Sequence, residues 1–119
     1  RLCGEDFTIY SGNDDQIVPI LSLGGSGVIS VLANVLPKET HDIVEKYLTG
    51  DVVESRKLQL GVNELVSSLF IEVNPIPVKA AMNLMGMEAG ELRLPLTNIS
   101  EQNLEILRNN MMKYGIKVD

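Results

Sequence analysis

A single lysine, Lys79, stands in the apolar run NPIPVKAAMNLMG, Asn74 to Gly86. A lysine in such company is a candidate nucleophile for a carbonyl substrate. A Schiff base forms on the neutral amine, and burial or a neighbouring positive charge supplies that form. Its position argues otherwise. Lys79 falls in the middle of an expected helix, far in sequence from any strand end. A helical lysine of this kind serves as a surface or tertiary-contact residue.

Three other stretches carry residues of chemical interest. SGNDD, Ser11 to Asp15, sits where an expected strand meets a helix. Ligands of parallel α/β folds bind at the carboxyl ends of strands. Gly12 would let a substrate approach the backbone, and Asn13 and Asp14 would offer polar contacts. A plain turn with Asp14 or Asp15 as the helix cap is the competing reading. VISVLAN, Val28 to Asn34, is a second strand end, where backbone carbonyls and Ser30 face either a ligand or the core. LGGSG, Leu23 to Gly27, follows a helix and precedes a strand. Phosphate cradles have the opposite order, so these glycines are read as a helix stop and a tight turn. The single histidine, His41, lies beside Glu39 and Asp42 on an acidic helix and is read as a surface residue. The five methionines are read as packing.

Composition narrows the classes. The 119 residues suffice for one compact domain, and 45 % hydrophobic with 22 % charged residues is ordinary for a folded chain. A formal charge of −6 without a basic run argues against a nucleic-acid binder. No apolar stretch approaches the ~18 residues of a membrane span, and no signal-peptide pattern is seen. Cys3 is the only cysteine, which suits a reducing cytoplasm, and with His41 it makes a structural zinc site unexpected, so no metal is assigned.

The elements that must position these residues follow from the pattern. Phe7 to Ser11 is expected as a buried strand, Gln16 to Leu23 as a short helix, and Gly27 to Ala33 as a second strand. Pro19 is tolerated near a first helical turn. This is the length of a right-handed parallel βαβ crossover. From Pro37 onward helices are expected. Ile43, Val44, Tyr47 and Leu48 form the apolar face of the first, and Gly50 ends it. Asp51 and Glu54 resemble a capping box for the next, which runs to about Phe70 with Leu58, Val62, Leu65, Val66 and Leu69 at helical spacing. Asn74 and Pro75 start another that ends at Gly86. LRLPLTNIS is a loop. Ser100 caps the last helix, with Leu104, Leu107, Met111 and Tyr114 inward, and Gly115 closes it. Arg1 to Gly4 reads as the last turn of a preceding helix, so the chain is expected to be a piece of a longer one. Two parallel strands do not make a covered sheet alone. Their neighbours are expected from residues before Arg1, another chain or a second copy.

YSGNDDQIVPILSLGGSGVISVLANVLP, LFIEVNPIPVKAAMNLMG and LRLPLTNIS, in this order, resemble the C-terminal part of the dihydrodipicolinate (4-hydroxy-tetrahydrodipicolinate) synthase family of pyruvate-dependent Schiff-base lyases. The resemblance covers essentially the whole chain. It implies the last two βα units of an α/β (β/α)8 TIM barrel over residues 1–50, strands seven and eight, and a small C-terminal helical domain over residues 51–119. It implies an enzyme that condenses pyruvate with aspartate semialdehyde through a lysine Schiff base, toward diaminopimelate and lysine, with no cofactor and no metal. The Schiff-base lysine of the family lies on the sixth strand, before Arg1. The resemblance therefore puts no catalytic residue in this chain, and the chain alone is expected to be inactive. Ile29 matches the position whose carbonyl faces the pyruvate-derived adduct. Gly12 matches the glycine at the edge of the second-substrate pocket. Asn13 stands where the family often has Asp, which keeps hydrogen bonding and removes a charge. Leu23 matches a position in a subunit interface of the family's homotetramer. Tyr10, Tyr47 and Tyr114 do not match its proton-relay tyrosine.

Two other readings compete. A related aldolase such as N-acetylneuraminate lyase would want more hydroxyl-binding groups after Gly12, where Ile17 already turns apolar. A non-catalytic helical interaction module would not need the apolar βαβ start. On the synthase reading the protein is expected to be cytoplasmic and a homo-oligomer, with the N-terminal remainder of the barrel as its partner and neither nucleic acid nor membrane involved.

Overall fold

The computed structural model describes residues 2–119. The element order is β1 (Tyr10–Ser11), α1 (Ile17–Ser22), β2 (Gly27–Val28), α2 (Pro37–Leu48), α3 (Val52–Leu69), α4 (Ile76–Leu84) and α5 (Glu101–Tyr114). Short 3-10 turns at Asp14–Gln16 and Leu32–Asn34 follow the two strands. The expected order β-α-β-α and then three helices is the observed one. Arg1 lies outside the described residues. The last helical turn expected there is absent at Leu2–Gly4, where Gly4 has φ +81° and no helix forms. An isolated turn has too few hydrogen bonds to offset its ordering.

The strands are parallel, with Tyr10 opposite Gly27 and Ser11 opposite Val28. They are shorter than the apolar runs that suggest them. The Ser26 N–H donates to the Ile9 carbonyl at 2.8 Å and the Ile29 N–H to the Ser11 carbonyl at 2.9 Å, which carries the ladder one residue further each way. Strand length is set by the neighbour, and among the described residues each strand has one. Apolar side chains around both strands are open within this chain: Phe7, Ile9, Tyr10 and Ile29 are all exposed.

The chain divides after Gly61 into two compact units. In the first, α1 packs on α2 and on β2, with Ile17, Leu21, Leu32, Val35, Leu36 and Ile43 buried. Pro19 is the third residue of α1, where its missing N–H costs no helical bond. Gly25 is required for the turn that follows, since an added Cβ would lie 2.5 Å from Ile20 Cγ2 and 2.8 Å from its carbonyl oxygen. LGGSG is thus the helix stop and tight turn expected of it. Pro37 opens α2, and the apolar face of that helix is narrower than its sequence suggests, because Leu48 is 60 % exposed. The Ser55 hydroxyl at the start of α3 donates to the Ile43 carbonyl at 2.6 Å.

In the second unit, α4 packs on α5. Val62, Leu65, Val66, Leu69, Ile76, Val78, Ala81, Leu107 and Met111 are buried. Each such large side chain contributes roughly 1.5–3 kcal/mol over its exposed state. The Ser100 Oγ accepts from the Asn103 N–H, and Gly115, at φ +96°, ends α5 with the Ile116 N–H bonded to the Met111 carbonyl at 2.9 Å. Both ends of α5 are as expected. The start of α4 is not. Pro75 occupies the cap position and no side chain caps the helix, so Asn74 has no capping role. Pro77 takes the second helical position, where no donor is needed.

Candidate functional site

The two parallel strands end side by side, and the bond from Ile29 N–H to the Ser11 carbonyl joins the turns that leave them. Gly12 and Asn13 on one turn and Ile29 on the other are therefore brought to one edge of the sheet. All three are exposed, Ile29 at 71 %. A Cβ built on Gly12 would meet nothing within 4 Å, so the space over its backbone is open. Asn13 leads into the 3-10 turn in extended conformation, and its side chain makes no capping bond. Its backbone is held instead. The buried Ser11 hydroxyl donates to the Asn13 carbonyl at 2.8 Å and accepts from the Asn13 N–H at 3.2 Å.

Beneath this edge lies a group whose role the sequence does not reveal. Asp14 is 1 % exposed and caps no helix of its own. One carboxyl oxygen accepts from the Val31 and Leu32 N–H groups, both at 2.9 Å, and the other takes a short bond from the Ser30 hydroxyl. Ser30 Oγ in turn accepts from the Ala33 N–H at 2.8 Å. Ser30 is therefore committed to the turn and is no ligand-facing hydroxyl. The run expected as strand to Ala33 stops because Asp14 captures the two N–H groups that would have continued it.

Gln59 closes the arrangement. Its Nε2 donates to the Asp14 carbonyl at 2.9 Å, and its Oε1 accepts from the Val18 N–H at 3.2 Å. Sequence reasoning missed it, although a signal exists. Ser55 and Gln59 continue the stripe of Val62, Val66 and Leu69 at four- and three-residue steps, and a polar residue in an apolar stripe needs a buried partner.

The remaining candidates are dispersed. Leu23, at the end of α1, is 85 % exposed. The Lys79 ammonium donates to the Glu91 carbonyl at 2.6 Å, at the edge of a cavity of about 610 Å³ in the second unit that Ile76, Leu84 and Leu104 also line. It is a tertiary-contact lysine, as its helical position suggests. His41 has closer acidic company than its sequence neighbours imply. Its Nδ1 lies 3.4 Å from Asp42 and 3.6 Å from Glu45, on the exposed side of α2. Asp42 is also paired with Lys38, whose hydrogen bond holds its carboxyl below the usual range. Glu72 likewise lies below its ordinary value. The Asn103 side chain, the Ser100 N–H and the Ser100 hydroxyl all donate to it. No described helix is long and apolar enough to cross a membrane.

Parallel βα units followed by helices define an α/β protein. The chain belongs to the dihydrodipicolinate synthetase family, whose model matches residues 1–113. It is 61 % identical over 115 residues to the 4-hydroxy-tetrahydrodipicolinate synthase of Acetivibrio thermocellus, covering 97 % of this chain and 39 % of that protein. It is 64 % identical over 116 residues to the enzyme of the same name from Clostridium perfringens, covering 98 % and 40 %. Among solved structures, the dihydrodipicolinate synthase of Aquifex aeolicus superposes with a TM-score of 0.92 at 41 % identity, over 98 % of this chain and 40 % of that one. The chain thus spans about two fifths of the length of these relatives.

Proposed function

We propose that this chain is the C-terminal part of a synthase that condenses pyruvate with aspartate semialdehyde. Residues 1–50 supply the last two βα units of its barrel, and residues 51–119 its helical domain. The observation that carries the reading is the strand-end edge, where the open backbone at Gly12 and Asn13 lies beside Ile29 across the Ile29–Ser11 bond. High identity to proteins named as synthases supports the same chemistry.

On this reading pyruvate is held as a Schiff base on a lysine outside these residues. The derived enamine attacks the aldehyde. The Ile29 carbonyl faces the adduct, and Gly12 and Asn13 border the second substrate. Lys79 takes no part, because its ammonium is bonded to Glu91 on the other unit's cavity edge. The exposed Leu23 belongs to an interface of a tetramer, and the exposed Phe7, Ile9 and Tyr10 are covered by the N-terminal part of the barrel. The enzyme acts in the cytoplasm. The test is turnover of pyruvate with aspartate semialdehyde by the full-length protein. Condensation supports the reading. Cleavage of N-acetylneuraminate without condensation contradicts it in favour of the related aldolase.

A further inference from the structure

The hydrogen bonds beneath the strand-end edge have a use that rests on the reading above. We infer that Asp14, Ser30 and Gln59 are positioning residues for the substrate-facing backbone at Ile29, although none of them touches substrate. The Ile29 carbonyl belongs to a peptide tied at both ends. On one side the Ile29 N–H is bound into the ladder at Ser11, at 2.9 Å. On the other, the Ser30 hydroxyl is bound to Asp14, and the next two N–H groups are bound to the same carboxyl. A carbonyl between two anchored residues keeps one direction, and a dipole aimed in advance needs no reorganisation during reaction.

Asp14 cannot swing away, because its own carbonyl is held by Gln59, which also holds Val18 on α1. Burial divides the labour. Asp14, Ser11 and Gln59 are inaccessible, while Gly12, Asn13 and Ile29 are open. The buried groups form an anchoring layer, and the exposed ones present the surface. Gln59 thereby makes α3 part of the support of the pocket.

Ser30→Ala in the full-length enzyme is the cleanest test, since it removes one hydroxyl and leaves the Asp14 bonds to Val31 and Leu32 in place. Misplacement of a reacting geometry by an ångström costs about 100-fold, so a drop in kcat of about 10- to 100-fold is expected. The melting midpoint falls, because one Asp14 oxygen and the Ala33 N–H each lose a partner, but pyruvate is still trapped by borohydride at one adduct per chain. Ser30→Thr, which keeps the hydroxyl, restores turnover. A merely structural role would lower trapping in step with turnover, and Ser30→Thr would recover kcat only as far as it recovers trapping. Wild-type kcat in Ser30→Ala overturns the inference. If Ser30→Ala does not fold, Gln59→Asn, which shortens the tie, carries the same test. Failure of both to fold makes the tie structural and overturns it. A wild-type protein without turnover removes the proposed function and this inference together, whereas an active wild type with an unimpaired variant removes the inference alone.

Discussion

The side chain of Gln59 donates to the carbonyl of Asp14 at 2.9 Å across 45 residues of sequence, and its other terminus accepts from the Val18 N–H. One amide thereby satisfies a buried carbonyl and a part-buried N–H at the base of the strand-end turn. Gln59→Leu keeps the volume and leaves both unpaired. With ~1–3 kcal/mol for a buried group left without a partner and less for the part-buried one, the loss of stability should be about 1–4 kcal/mol. A clear fall in the urea midpoint of the full-length protein is expected, and an unchanged midpoint would show that water replaces the amide.

Two glycines thirteen residues apart, Gly12 and Gly25, should respond differently to an added methyl. Gly25→Ala drives a Cβ into Ile20, so it should destabilise by about 1–3 kcal/mol, read as a lower melting temperature.

Gly12→Ala meets open space within this chain and should leave the melting temperature unchanged. On the proposed function the added methyl intrudes on the second substrate. KM for aspartate semialdehyde should then rise about tenfold, the scale of one misplaced methylene, with KM for pyruvate little changed. Equal effects on both substrates would place Gly12 elsewhere in the pocket.

Glu72 gives a pH signature. Its carboxyl accepts from the Asn103 amide and from the Ser100 N–H and hydroxyl, which together lower its pKa from 4.5. A carboxyl depressed in the folded state stabilises above its unfolded pKa and loses that contribution as pH falls through the folded value. Wild type should therefore exceed Glu72→Gln in stability at neutral pH. The gap should begin to close below pH 4.5 and vanish once Glu72 is protonated in the fold. Thermal melts of both proteins across acid pH check this, and a gap independent of pH would mean that charge is irrelevant there.

Much of the architecture is legible in the sequence because it is written locally. Ser100 with its cap at Asn103, Gly115 with its left-handed turn, and Gly24 with Gly25 after α1 act within five residues, and each does what its type suggests. Two of the misreadings share a long-range cause, and the third is local. The local sequence offers Asp14 as a polar contact for ligand, or Asp14 or Asp15 as the cap of the helix beside it, and the Asp14 carboxyl instead reaches Ser30, Val31 and Leu32, sixteen to eighteen residues away. The second strand was expected to run to Ala33, and that same distant carboxyl ends it. Asn74 was expected to cap α4, but the helix begins after Pro75, past its reach. At the strand-end edge, the position of SGNDD at a strand terminus was legible. The buried layer beneath it was not, because its members come from three separate stretches of chain.

On the proposed function the pyruvate-binding amine lies outside these residues and Lys79 is a tertiary contact. Borohydride reduction in the presence of pyruvate, followed by intact mass and peptide mapping, tests it most directly. One adduct per full-length chain is expected, at a lysine before Arg1, and none on the 119-residue chain alone. A stoichiometric adduct mapped to Lys79 would contradict it.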